Sequence, residues 1–160
     1  MLLEGIILLD IKYIRQPNGY TCGSTALYIA CDAKGIETPS LLDLANQMGT
    51  NPRTGTTDIE MSRGLEIVGL PVSRYALLNG KTFRAGNKEE AFKALSESVS
   101  GDSLFLLRTL MYGIPHWVLA YEMKNNHILY VCSCSGIGQL DADALYKIWE
   151  PRAFDGFRIT

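Results

Sequence analysis

Cys22 is the residue in this sequence best placed for covalent chemistry. It stands where the turn signal Gln16-Pro17-Asn18-Gly19 gives way to a helix starting near Gly23. A thiol at a helix start meets the positive end of the helix dipole and unpaired backbone N–H groups, both of which favour thiolate over thiol. Gly23 follows directly, so backbone can come close to a substrate and no side chain shields the sulfur. A thiolate so placed attacks acyl carbon if a partner takes up and returns a proton. Taken alone, Cys22 reads better as a small buried hydrophobe opening a helix.

Two more residues tilt the balance. Gln16 precedes the tight turn, six residues before Cys22. Its side-chain NH2 and the Cys22 backbone N–H would together form an oxyanion hole, where one such donor contributes ~2.7–4 kcal/mol to a tetrahedral transition state. The sequence holds 2 histidines, so the choice of base is narrow. His116 follows Gly113-Ile114-Pro115, opens an apolar strand and precedes Trp117, which puts it at a sheet rim where it can face a cleft. His127, just past Asn125-Asn126, reads as an exposed hairpin residue. Without Cys22, His116 would read as a structural histidine.

The elements that must position these groups follow from pattern and punctuation. Gly5–Arg15, rich in Ile, Leu and Tyr, suggests a strand. Helices are expected over Gly23–Lys34, stopped by Gly35, and over Ser40–Met48, capped by Ser40. Another is expected over Thr57–Val68, where Thr57 and Glu60 make a capping box. Val72–Leu78 reads as a strand and Lys88–Val99 as a helix starting near Asn87. Three apolar runs follow, Leu104–Leu110, His116–Met123 and His127–Cys134, the last two joined by Lys124-Asn125-Asn126 as a hairpin. A helix over Asp141–Trp149 and a strand over Phe154–Ile159 close the chain. Helices first and an antiparallel sheet after them spell α+β. Nothing in the composition breaks 1–160 into more than one domain.

The stretch Gln16-Pro-Asn-Gly-Tyr-Thr-Cys22-Gly-Ser-Thr-Ala-Leu27 resembles the active-site segment of papain-like cysteine peptidases. Within that superfamily it resembles in particular the peptidases that cleave double-glycine leader peptides from bacteriocins, and their stand-alone relatives. Gly49-Thr50, Gly55-Thr56-Thr57 and Gly69-Leu70 are similar to the middle of that domain, and His116-Trp117-Val118-Leu119-Ala120 to its histidine strand. The resemblance runs over roughly Ile14 to Val131. It implies a papain-like fold with a helical part carrying Cys22 packed on a sheet carrying His116. It implies Cys22 as nucleophile, His116 as base, Gln16 as oxyanion donor, and a peptide or protein substrate with small residues before the scissile bond.

One departure stands out. Where the family places an Asp or Asn that orients the histidine, this chain reads Tyr130-Val131-Cys132-Ser133-Cys134-Ser135-Gly136, and Ser133 falls at that place. A serine hydroxyl can hold the imidazole tautomer but cannot stabilise imidazolium as a carboxylate does. Cys132 and Cys134, two apart on a strand, point to one side and could share a metal with a histidine. A structural zinc site needs four ligands as a rule, so a simple thiol pair is the favoured reading, and no metal or cofactor is expected. Cys31 falls on the far side of the Cys22 helix and reads as core.

The bulk numbers agree with a folded protein: 47% hydrophobic residues and 20% charged. With 15 basic and 17 acidic side chains, the net charge of −2 gives no reason to expect nucleic acid or an anionic membrane as partner. The apolar start, Met1–Leu9, is too short to span a bilayer and lacks a signal peptide's basic region, so a cytoplasmic setting, of the producer or of a host, is expected. Four cysteines make a poor disulfide framework and read as free thiols. Three functions fit. The leading one is a thiol hydrolase acting on peptide or isopeptide-like bonds. The second keeps the acyl-enzyme but transfers the acyl group or releases ammonia, as an acyltransferase, transglutaminase-like enzyme or glutamine deamidase. The third, motivated by Ser133, is an inactive papain-like domain that binds a peptide or protein.

Overall fold

The computed structural model describes residues 9–70, 75–76 and 85–160. Three helices come first: α1 (Cys22–Lys34), α2 (Leu41–Met48) and α3 (Asp58–Ile67). Each is stopped or started by the signal its sequence carries. Gly35 closes α1 in the left-handed conformation at φ 67°, which glycine adopts without a Cβ clash. Ser40 caps α2 through the Asp43 N–H. Thr57 and Glu60 form the expected capping box at α3. After β1 (Tyr75–Ala76) come α4 (Lys88–Ser98), capped by Asn87, and three long strands, β2 (Leu104–Met111), β3 (Ile114–Lys124) and β4 (His127–Cys132). The chain ends with β5 (Gly136–Leu140), α5 (Ala142–Trp149), a 3₁₀ turn over Glu150–Arg152 and β6 (Gly156–Ile159).

The strands form one antiparallel sheet in the order β1-β6-β2-β3-β4-β5. Two tight hairpins set the register of its centre. Asn125 and Asn126, at φ 53° and 59°, turn β3 into β4, and Tyr112 and Gly113, at φ 56° and 73°, turn β2 into β3. Both pairs have the left-handed backbone that two-residue hairpin turns of right-twisted strands demand. The architecture is thus α+β, with helices ahead of an antiparallel sheet.

Alternation along the strands gives the sheet two apolar faces. Leu104, Leu106, Leu119, Val131 and Ile159 join Leu27, Ile29, Met48 and Leu65 in a core beneath α1, α2 and α3. Phe105, Leu107, Val118, Ala120 and Ile128 join Leu95, Leu145 and Trp149 beneath α4 and α5. The first core is the one that matters for chemistry, because it clamps α1 on β3 and so fixes where the start of α1 meets the start of the strand. Cys31 lies in that core, as expected.

One expectation changes over the part of it that is described. The part of Gly5–Arg15 that is described, 9–15, carries no strand; residues 5–8 lie outside the described residues. Its Leu9, Ile11 and Ile14 instead pack as half-buried side chains on the first core, so the apolar content serves packing without ladder hydrogen bonds. Of the strand expected over Val72–Leu78, Tyr75–Ala76 is present and the remainder lies outside the described residues. β5 was not signalled by its Gly-Ile-Gly-Gln-Leu sequence. It forms because the chain reverses after Cys132 and pairs Gly136 with Cys132 and Leu140 with Ile128. No helix among the described residues is long and apolar enough to cross a membrane.

Candidate active site

Cys22 is the first residue of α1 and is buried, 8% exposed. Thr21, at the N-cap, makes no side-chain cap, so the N–H groups at this helix end keep their capacity to stabilise a nearby negative charge. Gly23 has a second purpose beyond leaving the sulfur open. A Cβ at this position would lie 2.5 Å from Thr56 Cβ and 2.9 Å from Trp117 Cδ1. The helix start is therefore wedged between the 50–57 loop and β3, and only glycine fits. That loop is itself tied down: Thr50 and Thr56 hydroxyls bond at 2.9 Å, and Trp117 Nε1 donates to the Thr56 carbonyl at 2.7 Å. Trp117 is buried against Phe157 and is both core and wall of the site. Gly23→Ala is expected to lower stability by ~1–3 kcal/mol despite alanine's better helix propensity, read as a lower urea midpoint with unchanged slope.

His116 sits near the start of β3, and its carbonyl accepts a hydrogen bond from Thr109 Oγ1 at 2.8 Å, which fixes the strand beneath the ring. The ring lies close enough to the Cys22 sulfur for each to shift the other's titration, and both line one cleft. Its Nε2 lies 3.0 Å from Cys132 Sγ and 3.7 Å from Cys134 Sγ. The structure thus brings Cys22 and His116 together and adds two sulfurs. His127 is elsewhere, at the β3–β4 hairpin, with Nδ1 2.9 Å from the Asn125 carbonyl, as the sequence suggested.

Ser133 does not touch the ring. Its hydroxyl donates to Gln16 Oε1 at 2.7 Å, and its carbonyl accepts the Gln16 backbone N–H at 2.9 Å. β4 ends at Cys132, and across the turn over 133–135 the Cys132 and Cys134 sulfurs come together at 3.1 Å beside His116 while the Ser133 hydroxyl turns to Gln16. The Cys132 sulfur, in place of the hydroxyl expected of Ser133, is what lies against the ring. Ser133 acts on Gln16 instead. With Oε1 held by Ser133 and one Nε2 hydrogen given to the Asn18 carbonyl at 2.6 Å, the orientation of the amide is fixed and its second N–H is left to donate. The turn below is knitted by Asn18, which accepts from the Tyr20 N–H and from Thr21 Oγ1.

The charges of these groups follow from their neighbours. Burial pushes the Cys22 thiol up, but the hydrogen bond and charge of His116, with backbone hydrogen bonds from Trp117 and Gly23, bring it below its ordinary value. Burial pushes His116 down, and hydrogen bonds to Cys132 and Cys22 more than reverse that, raising it to about 9. Cys132 is pushed up by burial and pulled down by His116, Ser135 and Cys134, ending at about 6. Burial and the neighbouring Cys132 raise Cys134 to about 11. At neutral pH the ring is an imidazolium held against the Cys132 thiolate, with the Cys22 thiol on the same ring. Both sulfurs thus favour the protonated ring.

A cleft of about 240 Å³ opens beside these residues, lined by Cys22, His116 and Trp117 and by Arg53, Arg108 and Arg152. Arg108 is paired with Asp155 at 2.9 Å, and its guanidinium lies 5.9 Å from the Trp117 ring centre. Burial and the neighbouring Arg108 lower Arg152. The Cys22 sulfur, the His116 ring and three arginines thus line one cleft.

No protein-family profile matches the chain, and no curated protein matches it in sequence. Solved structures do match. A double glycine motif protease from an AMS/PCAT transporter, crystallised in complex with the leader peptide, superposes with TM-score 0.67 at 14% identity, covering 95% of this chain and 94% of that one. The peptidase domain of Streptococcus ComA, a bifunctional ABC transporter of a quorum-sensing pathway, gives 0.64 at 14% identity over 94% and 97%. A protein from Bacillus anthracis assigned as a C39-like peptidase gives 0.64 at 12% over 97% and 96%. The fold of this chain is the papain-like fold of double-glycine cysteine peptidase domains.

Proposed function

We propose that this chain, folded as double-glycine cysteine peptidases are, is a thiol hydrolase that cleaves an amide bond following small residues. The pairing of Cys22 with His116 carries the proposal. The Cys22 thiolate attacks the acyl carbon. The oxyanion is met by the Cys22 backbone N–H and the free N–H of Gln16. The His116 imidazolium gives its proton to the leaving amine, which departs and leaves an acyl-enzyme. Water then enters, His116 takes its proton, and the second tetrahedral species collapses to the free acid and the Cys22 thiolate. Cys132 touches no reacting atom. It positions the ring and stabilises its cationic form, as the carboxylate of a serine-type triad does.

The substrate class rests on likeness. One structural neighbour is a double glycine motif protease crystallised in complex with the leader peptide. Acyl transfer or deamidation would use the same acyl-enzyme, and nothing in the cleft favours them. The inactive-domain reading was motivated by Ser133 at the orienting place, and that motive lapses with Cys132 there.

Alkylation tests the pair directly. With iodoacetamide at neutral pH, Cys22 is expected to label faster than Cys31 and faster than free cysteine, and His116→Ala is expected to slow that labelling at least ~10-fold. Peptide mapping by mass spectrometry assigns the site. Labelling of Cys22 no faster than an ordinary thiol, in both proteins, would sink the proposal. Incubation with peptides carrying two glycines before the scissile bond then distinguishes hydrolysis from transfer by its products, free acid and amine.

A further inference from the structure

We propose that His116, Cys132 and Cys134 form a binding site for one divalent ion of the zinc class, and that filling it silences Cys22. The second half rests on the function proposed above; the first does not. Three soft donors converge: His116 Nε2 is 3.0 Å from Cys132 Sγ and 3.7 Å from Cys134 Sγ, and the two sulfurs are 3.1 Å apart. All three donor atoms lie within 4.8 Å of one another. Zinc bonds of ~2.3 Å to sulfur and ~2.0–2.1 Å to nitrogen put tetrahedral ligands ~3.5–3.8 Å apart. Opening this trio by less than ~1 Å admits an ion.

The rest of the setting suits a zinc-class metal. Two thiolates and a neutral imidazole balance a divalent charge, and soft donors of this kind select zinc, cadmium or cobalt over magnesium or calcium. Cys132 is buried while Cys134 is exposed, so the ion has a path in and a fourth position open to water. The Ser135 backbone N–H donates to the Cys132 carbonyl at 3.3 Å, which ties down the turn that carries both thiols. The tight turn between β4 and β5 supplies the geometry: Cys132 ends β4, Gly136 pairs back onto it, and Cys134 between them brings its thiol beside the first, with the ring of β3 against both.

Coordination replaces the proton on Nε2 and the proton on the Cys134 thiol, so metal binding releases protons. The consequence for Cys22 is direct. A ring whose Nε2 is bonded to metal is a neutral imidazole: it carries no imidazolium charge beside the Cys22 sulfur, and the proton it keeps on Nδ1 is too weakly acidic to give to the leaving amine. Cys22 itself contacts the ring without being one of the three converging donors.

The test uses the full chain reduced with a phosphine, titrated with cobalt(II) as a visible probe and then with zinc. One cobalt per chain is expected, with a thiolate-to-cobalt charge-transfer band that zinc displaces. Cys134→Ser should weaken the affinity at least ~10–100-fold, whereas Cys22→Ala should leave it unchanged. Zinc should slow iodoacetamide labelling of Cys22 at least tenfold, and a chelator should restore it. No charge-transfer band, with Cys22 still labelling fast, overturns the metal site and leaves the hydrolase reading standing. An ion retained by Cys134→Ser but lost from Cys22→Ala places the metal on the Cys22–His116 pair and overturns the proposal. One ion bound by the trio with Cys22 labelling unslowed overturns the silencing, and the assignment of His116 as its activator with it.

Discussion

Cys22→Ala is expected to remove turnover of a peptide bearing two glycines before the scissile bond, a loss on the order of 10⁶-fold. His116→Ala is expected to lose nearly as much, and the double variant little more than either single one. The lack of additivity is the informative part. If Cys22 and His116 act as one unit, removing either partner leaves only what binding and the oxyanion donors supply, so the second removal has nothing further to take. Two independent contributions would multiply instead. Product formation followed over hours by mass spectrometry checks this, with urea unfolding of each variant to confirm that it is folded. Either single variant retaining more than about a tenth of wild-type turnover would end the assignment of this pair.

That pair was legible in the sequence because each member carries a local signal. Cys22 follows a turn and opens a helix, and His116 opens an apolar strand; both statements need only short-range pattern. The helix caps at Ser40, Thr57 and Asn87 were readable for the same reason, since a cap is chemistry within three residues. Long-range placement was harder. Ser133 and Cys132 differ by one position, and on a strand one position is the difference between two faces. The sequence showed where β4 runs but not where it stops, and only its end at Cys132 decides which of the two turns toward His116. The signal that would have found Cys132 was there: counting alternation outward from buried Val131, which faces the helices α1–α3, puts Cys132 on the opposite side. Gly23 shows the same limit. Its adjacency to Cys22 was plain, but the close approach of Thr56 and Trp117 that demands glycine comes from contacts distant in sequence.

Cys132 supports the second large effect, and its signature is a pH profile. The competent form has Cys22 ionised and His116 protonated. Activity therefore rises with pH as Cys22 loses its proton, below the ordinary thiol range, and falls as His116 loses its own near about 9. Burial lowers the ring, and its contacts with Cys132, the largest of them, and with Cys22 together outweigh that. Cys132→Ala takes that anion away. The ring then deprotonates at lower pH, so the alkaline limb moves toward neutrality. The window in which Cys22 is ionised and the ring protonated narrows from its alkaline side, and the rate is expected to fall by ~10²–10⁴-fold. Cys132→Asp restores an anion beside Nε2 and is expected to bring back most of the rate and return the alkaline limb toward about 9. A residue that merely filled space would behave otherwise: Cys132→Ala would lower stability slightly, leave both limbs in place, and gain nothing from the carboxylate. An alkaline limb unmoved in Cys132→Ala would show that the thiolate does not hold the imidazolium, and the third place at this centre would then have no occupant.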